Sequence, residues 1–505
     1  MLIKINLFIS RLFNLSKQRM LGIILHLPGI KRMYLIIDRL FECVLSISDR
    51  PIRGLGEPLD VSIREYDRKR RRPLLVMHPN RAFCYAPFVS MDFSQTGHVR
   101  PCNHFVGSIP KISEDKSLLD IWQGELHASL RRSMHEYNLN DGCEHCIRQI
   151  KAGSLDYNFA GLGFDDFAVK EAVPAYPRRL SFELNNTCNL ACVMCHGTAS
   201  SVIRRERDKL PPLESVYDEK FFNELEKILE HVEHIAFYGG EPLLIKENYR
   251  IFDILKRVNP KCRLFINTNA TVINERAKHY LQELNFTAIA VSMDASDPEL
   301  LSEVRQGLNY EAFRDGLDWI IEMTGKRGIY LSLNVTEHRK NWFNLPEVFR
   351  FAERAKLPIH ITHCLYPRHV SLYTLPDEEL RYVLSFLLCE KQAILEEFPG
   401  FMNLKIYDYM ISLITDELNG RDDSWQPVLS QPNHEITGNL AAPRPGVAPF
   451  HVPERLRQEV DKILKLSKNT SSYMLREIED RIEGMPNNGE WQTLLRYLKN
   501  LDLPV

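Results

Sequence analysis

Residues 188–195 read CNLACVMC, three cysteines spaced C-x3-C-x2-C. A second group stands upstream: Cys84, Cys102 and the pair Cys143-x2-Cys146. Thiolates grouped in this way bind metal. A closed zinc site takes four ligands, and a four-iron, four-sulfur (4Fe–4S) cube has four iron corners. Cys188, Cys192 and Cys195 therefore fall one ligand short. On a cube they leave one iron open to a substrate or cosubstrate, as catalytic zinc keeps an open position. The upstream four suffice for a closed site, either zinc or a fully ligated cluster. His104, two residues after Cys102, can replace one thiolate there; surface hydrogen bonding is the commoner use of such a histidine.

The chain has 505 residues and eleven cysteines. The count is odd, two gaps are C-x2-C, and no small-residue cleavage site follows the basic, apolar first 30 residues. This favours thiolates kept for metal in a reducing cytoplasm over a disulfide framework. Apolar content of 44% and charged content of 26% are those of an ordinary globular protein. A net charge of −2 gives no electrostatic case for a nucleic-acid partner. The run RKRRR, Arg68–Arg72, reads as a solvated linker, with a phosphate or membrane-surface contact as the alternative. The apolar run MLGIILHLPGI is 11 residues long, against about 20 for a membrane span. Residues 1–75 therefore read as a helical, basic extension. It packs on the rest of the protein or makes a peripheral contact with a membrane surface.

The elements that carry the cysteines alternate. RLSFELN (179–185), HIAFYG (234–239), RLFINT (263–268), AIAVSMD (288–294), YLSLNV (330–335) and PIHITH (358–363) read as strands, with helical patterns such as FFNELEKILEHV and FRDGLDWIIEM between them. Six strand–helix units predict an α/β fold, a partial (β/α)6 barrel over residues 175–365. Its active site lies on the loops after the strand C-termini. The three-cysteine motif follows the first of these strands. Upstream, residues 76–155 read as an α+β domain: a hairpin, FCYAPFVSMDFSQTGHVRPCNH, turning at Gly97, then a helix, SLLDIWQGELHASLRRSMHEY. The hairpin brings Cys84 and Cys102 together, and the helix returns Cys143 and Cys146 to them. A helical extension (366–418), a loose linker (419–455) and a C-terminal helical segment (456–505) follow.

The second barrel strand ends in FYGGEP. Two glycines at a strand end let backbone groups approach a ligand closely, and Glu241 can accept hydrogen bonds from an amine. With this motif one unit after the cysteines, residues 180–365 resemble the radical S-adenosylmethionine (SAM) superfamily. The resemblance implies that Cys188, Cys192 and Cys195 hold a 4Fe–4S cluster whose open iron binds SAM. An electron from that cluster then cleaves SAM to methionine and a 5′-deoxyadenosyl radical, which takes a hydrogen atom from substrate. Met194 takes the position near the adenine, and the backbone of Gly239, Gly240, Glu241 and Pro242 holds the methionine amino group. Thr268, Asn269, Ser292, Asp294, Arg305 and Asn334, at or near later strand ends, are implied contacts to ribose and the SAM carboxylate.

The upstream cysteines, with the hairpin, a G-x4-C run from Gly97 to Cys102, the helix and the final C-x2-C, resemble the twitch domain, the short form of the SPASM domain. That resemblance implies a second, auxiliary 4Fe–4S cluster held by Cys84, Cys102, Cys143 and Cys146. Its work is electron transfer or shaping the substrate pocket. In familiar enzymes this module follows the barrel; here it precedes it. Cys43, Cys262, Cys364 and Cys389 read as core thiols. Cys364 follows His363 at the end of the sixth barrel strand, so these two are the candidate catalytic residues, and His360 is a substrate-contact candidate.

The expected activity is that of a cytoplasmic radical SAM oxidoreductase. Its substrate is a small molecule such as a sugar or aminocyclitol, oxidised or epimerised, and its electrons come from an external flavodoxin- or ferredoxin-type donor. The alternatives are a peptide-modifying maturase and, in another class, a non-catalytic iron–sulfur carrier or scaffold. The region 1–75 shows no strand-rich, leader-binding module of the kind maturases often carry, and a carrier needs no open iron.

Overall fold

The structure, a computed structural model, describes residues 82–105, 109–113, 115–139, 142, 143, 146, 163–167 and 169–422. The 1–75 extension, the 456–505 segment and most of the 419–455 linker lie outside the described residues.

Strands form where the sequence is apolar and β-branched. They are β1 Ser90–Phe93, β2 Val99–Arg100, β3 Arg179–Phe182, β4 His234–Phe237, β5 Arg263–Thr268, β6 Phe286–Ser292, β7 Tyr330–Glu337 and β8 Ile359–His363. They make one sheet of order β2-β1-β3-β4-β5-β6-β7-β8. Only the β1–β2 hairpin is antiparallel; every other neighbouring pair is parallel. The helices are α1 Ala86–Val89, α2 Leu118–Gln123, α3 Glu125–Glu136, α4 Ser201–Glu206, α5 Glu219–Leu229 and α6 Lys246–Val258. Then follow α7 Glu275–Glu283, α8 Pro298–Val304, α9 Tyr310–Arg327, α10 Leu345–Ala355, α11 Asp377–Glu397 and α12 Leu404–Asp422. None of these described helices is long and apolar enough to cross a membrane.

All six strands expected between 175 and 365 are present, joined by helices in the manner of an α/β partial barrel. The sheet has eight strands because the upstream hairpin joins it. Ser90–Phe93 of β1 pairs residue for residue with Arg179–Phe182 of β3. The cysteine-bearing module is thus continuous with the barrel rather than set beside it. Two local expectations need correction. The hairpin's first arm is not all strand: Pro87, whose fixed φ suits the first turn of a helix, opens α1. The following helix is two helices. Gly124, in an extended conformation, ends α2 and caps α3, where a Cβ would stand 2.9 Å from the Asp120 carbonyl. Helix α12 also continues through 419–422, so the linker does not begin at 419.

Alternation along the strands separates two faces. Met91, Phe93, Leu180, Phe182, Ile235 and Phe237 belong to one core cluster with the helices. Asp92, Ser181 and Glu183 stand on the opposite, inner face, as do Ser292, Ser332, Asn334 and His360 farther along. At the N-terminal end of the strands, residues 163–167 form a floor. The Arg179 guanidinium stacks 4.9 Å over the Phe164 ring, and Arg263 lies 6.0 Å over Phe167. Phe164 and Phe167 share their hydrophobic cluster with Phe83, Phe88 and Met134, against which the four upstream cysteines pack.

Candidate radical and auxiliary cluster sites

The chain leaves β3 at Phe182 and enters an irregular loop that carries all three motif cysteines, each half-buried. Backbone bonds hold this loop. The Ala191 and Val193 amides donate to the Gln306 and Val304 carbonyls at 2.8 and 2.9 Å. The Cys195 amide donates to the Cys192 carbonyl at 3.0 Å, closing the turn in which half-buried Met194 stands. Side chains complete the clamp. Ser201 Oγ donates to the Cys188 carbonyl at 3.1 Å, Ser200 Oγ to the Leu190 carbonyl at 2.6 Å, and Arg207 Nη2 to the Cys195 carbonyl at 2.7 Å. Burial pushes the Cys188 thiol up to about 11 and the Cys195 thiol up to about 12, and raises Cys192 as well. The Cys188 thiol is raised further by Cys192, and the Cys195 thiol by both of the others. Without metal these are neutral thiols, so loading iron releases their protons. The loop fits an open cluster: it carries three thiols and no fourth at the C-terminal end of the sheet, on a backbone held mainly by bonds that do not use them.

The GGEP loop leans on this one. Gly239 and Gly240 have φ of +71° and +45°. A Cβ at Gly240 would lie 2.3 Å from the Thr187 carbonyl oxygen, and the Glu241 amide donates to that same oxygen at 2.8 Å. Glycine is required here both by conformation and by space. Gly240→Ala is therefore expected to destabilise the fold by about 2–4 kcal/mol. It should also lower 5′-deoxyadenosine formation at least about tenfold, by displacing the backbone beside Cys188. Thermal unfolding and chromatography of the nucleoside check both.

Glu241 does not offer its carboxylate to an amine as expected. It is buried and turned towards the end of β5. There it accepts from Thr268 Oγ1 and the Asn269 amide, both at 2.7 Å, and from the Leu243 amide at 3.1 Å. Thr268 and Asn269 are engaged in the same network, and Asn269 Nδ2 reaches Asn189 of the cysteine loop at 3.0 Å. What these groups leave for a ligand within Gly239–Pro242 is the backbone of Gly239 and Gly240, since the Glu241 amide and carbonyl and the Pro242 carbonyl are bonded within the fold. Asp294 and Arg305 form a second network, a buried ion pair of 2.7 Å, with Arg305 Nη1 3.9 Å from Cys192 Sγ. Ser292 and Asn334 pair across β6 and β7 on the inner face. Ser292 Oγ is 3.5 Å from Asn267 Oδ1, and Asn334 is half-buried.

His363 and Cys364 are not brought to this face. His363 shares the outer face of β8 with Ile361. Its Nδ1 lies 2.6 Å from Glu337 Oε2 and 3.0 Å from the Tyr373 hydroxyl. Cys364 is buried, its thiol 3.2 Å from the Tyr366 carbonyl. His360 does face inward, exposed, 3.3 Å from the Tyr330 hydroxyl.

The four upstream cysteines line one cavity together, and every other lining side chain is apolar, among them Phe83, Pro101, Phe105, Leu130 and Met134. Burial raises the Cys102 thiol and lowers the pKa of His104, keeping that ring neutral. Among the described residues, no three His, Cys, Asp or Glu side chains are drawn tightly enough to hold a single metal ion as they stand. A four-iron cube spans a wider set of sulfurs than one zinc ion does, and four thiols in an apolar cavity suit it. β2 runs back along β1, so Cys102 and this cavity lie towards the N-terminal end of the sheet edge. The three-cysteine loop lies at the C-terminal end.

Sequence reasoning missed one group on the inner face. Arg100 of β2 donates from Nε to Asp92 Oδ1 of β1 at 2.6 Å, and its Nη2 is 3.7 Å from Glu183 Oε2. Burial pushes the Glu183 carboxyl up to about 7 against the pull of Arg100. A Cβ on Gly239 would meet Glu183 Cβ at 2.9 Å and Gln95 Nε2, from the hairpin turn, at 3.3 Å. The hairpin thus reaches the GGEP loop. The sequence signal was the pair Asp92 and Arg100, eight residues apart across a turn, which is visible only once the hairpin is placed in this sheet.

Comparison with known proteins bears on both sites. Residues 182–344 match the radical SAM superfamily, and residues 84–147 match an iron–sulfur cluster-binding domain, SPASM. A probable GTP 3′,8-cyclase of Methanocella arvoryzae is 29% identical over 29% of this chain and 45% of its own. The FeMo cofactor biosynthesis protein NifB of Methanocaldococcus jannaschii is 27% identical over 25% of this chain and 42% of its own. An Fe-coproporphyrin III synthase of Methanosarcina barkeri is 25% identical over 43% of this chain and 53% of its own. The chain thus spans about half the length of these relatives. Among solved structures, AdoMet-bound anSMEcpe has a TM-score of 0.34 at 20% identity, covering 45% of this chain and 60% of that one.

Proposed function

Taking as premise that this chain is a radical SAM enzyme with an iron–sulfur cluster-binding domain ahead of its barrel, we propose that it abstracts a hydrogen atom from a polar small molecule held on the inner face of the sheet, oxidising or epimerising it. The observation that carries this reading is the chemistry of that face: Asp92, Arg100 and Glu183 at one edge, with Ser292, Asn334 and His360 towards the other. Such a surface suits a hydroxyl- or amine-bearing substrate and would leave an apolar one facing unpaired polar groups. The names of three relatives, a GTP cyclase, a metal-cofactor biosynthesis protein and a porphyrin synthase, describe small-molecule chemistry in those proteins, which supports this reading.

When bound, the reduced cluster and SAM supply the hydrogen-abstracting radical. The chain's own residues do the rest. Cys188, Cys192 and Cys195 hold the cluster, with an external electron donor of flavodoxin or ferredoxin type. The backbone of Gly239 and Gly240 receives the methionine end of SAM, with Glu241 fixing that loop to β5. The floor at Phe164 and Phe167 closes the inner face at the opposite end from the cysteine loop. The upstream module also has a reading as pocket wall, favoured by the reach of Gln95, Asp92 and Arg100 onto the inner face. This reading is compatible with a cluster that accepts electrons.

One experiment tests the substrate class. Reconstituted protein, reduced with dithionite and given SAM, is incubated with extract from cells grown in deuterated medium, divided into small-molecule and peptide fractions. Deuterium in 5′-deoxyadenosine should come from the small-molecule fraction. Enrichment from the peptide fraction alone would make the protein a peptide maturase. In the same assay Glu183→Gln should lower deuterium transfer at least about tenfold, as expected for loss of a proton acceptor or substrate contact. It should also flatten the pH dependence near 7, because the titrating carboxyl is gone. A profile that keeps its inflection near 7 would remove Glu183 from the substrate site.

A further inference from the structure

Arg305 stands directly across from Cys192. The Val304 and Gln306 carbonyls accept the Val193 and Ala191 amides at 2.9 and 2.8 Å, so these two backbone bonds bracket Arg305 on one strand of chain and Cys192 on the other. The guanidinium is buried, with 8% of the residue exposed. Nη2 pairs with Asp294 Oδ2 at 2.7 Å, and Nη1 is 3.9 Å from Cys192 Sγ, within hydrogen-bonding reach of sulfur. Nε is buried with no partner. Asp294 is itself fixed. Its other oxygen accepts the Thr336 amide at 2.6 Å, and its carbonyl accepts Asn341 Nδ2 at 2.8 Å.

From this geometry we infer that Arg305 is a positioning residue for the cluster itself: it donates an N–H···S hydrogen bond to Cys192, favours the reduced form and so holds the reduction potential up, with Asp294 as its anchor. The inference rests on the radical SAM reading and deepens it at the same site. Without metal, Asp294 is the acid paired directly with the buried guanidinium. A thiolate at Cys192 brings a further negative charge to its other side, and a planar fork faces both in a fixed geometry, where a lysine ammonium is a point charge on a flexible stem. Reduction adds one more negative charge to the cluster. A fixed positive charge and a donor to a ligand sulfur stabilise that state, which raises the potential. The family resemblance implied Arg305 among the contacts to the ribose and carboxylate of SAM. The structure commits one edge of the guanidinium to Asp294 and turns another towards sulfur.

An EPR-monitored redox titration of the reconstituted protein decides the matter. The component whose signal changes on adding SAM belongs to the cluster with the open iron, which separates it from the auxiliary one. Its midpoint potential should move to more negative values in Arg305→Gln, and by less in Arg305→Lys, which keeps the charge and loses the fork. If Arg305→Gln loses the cluster, the lysine variant decides. An unchanged potential in the variant that keeps its cluster overturns the inference. An unchanged potential with weakened SAM binding, measured on the same sample, would return Arg305 to the SAM carboxylate. A wild-type protein with no SAM-sensitive signal would instead defeat the radical SAM reading, so the two failures are distinguishable.

Discussion

Replacing Cys188, Cys192 or Cys195 with alanine is expected to lower the iron content of reconstituted protein from about eight per chain to about four, one four-iron cluster in place of two, and to end 5′-deoxyadenosine formation under dithionite. The loss should be complete rather than graded. Three thiolates are the fewest that hold a cube with one iron open, and the loop offers no fourth thiol to substitute. The fold should survive. The loop is held mainly by bonds between backbone groups and from Ser200, Ser201 and Arg207; within it the thiols add long contacts, of Cys188 Sγ with the Leu190 amide and of Cys195 Sγ with the His196 carbonyl, at 3.5 and 3.8 Å. Circular dichroism and thermal unfolding would show native-like protein without the cluster's visible absorption. Nucleoside formation persisting in all three variants would defeat the radical mechanism. Stoichiometric zinc beside about four irons in the unmodified protein would make the upstream site a zinc site.

The parts of the site that were legible in the sequence are those fixed by close spacing along the chain. Three cysteines in eight residues must share a loop, and two glycines before Glu241 announce a backbone that other residues seldom adopt, as the positive φ values show. The six barrel strands were legible because each is a short run of apolar and β-branched residues set between helical patterns. What was not legible depends on partners far away in sequence. β1 is four residues long, and its place in the sheet rests on pairing with residues 89 positions later, which no local pattern signals. Glu241 looked free for a ligand because its partners Thr268 and Asn269 lie 27 and 28 residues on. His363 is a different case. In IHITH the two-residue period puts His360 and Thr362 on one face and His363 with Ile361 on the other, so alternation alone separates His363 from the inner face. A place at the strand end does not override the period: His363 stays on the outer face.

The upstream cysteines should behave in the opposite way. In Cys143→Ala or Cys146→Ala, iron should again fall to about four per chain. 5′-Deoxyadenosine should still form, and deuterium transfer from substrate should now be uncoupled from product. The reason is topological. The cavity that Cys143 and Cys146 line with Cys84 and Cys102 lies towards the other end of the sheet edge from the SAM loop, and all four of its thiols are taken up by a closed cluster, so nothing there can bind SAM. An oxidation that removes a hydrogen atom still leaves one electron to be accepted, and the auxiliary cluster is the acceptor on this reading. A ligand's loss can also remove folding energy, here with particular force because the cysteines pack against the same aromatic cluster, Phe83, Phe164 and Phe167, that floors the inner face. Each variant must therefore first show native circular dichroism and wild-type SAM affinity. In a variant that passes, oxidised product at the wild-type rate would exclude electron acceptance. The hairpin residues Asp92, Gln95 and Arg100 would then be what the module contributes, as a wall of the substrate pocket. Product lost while nucleoside formation continues would place the second electron on the auxiliary cluster.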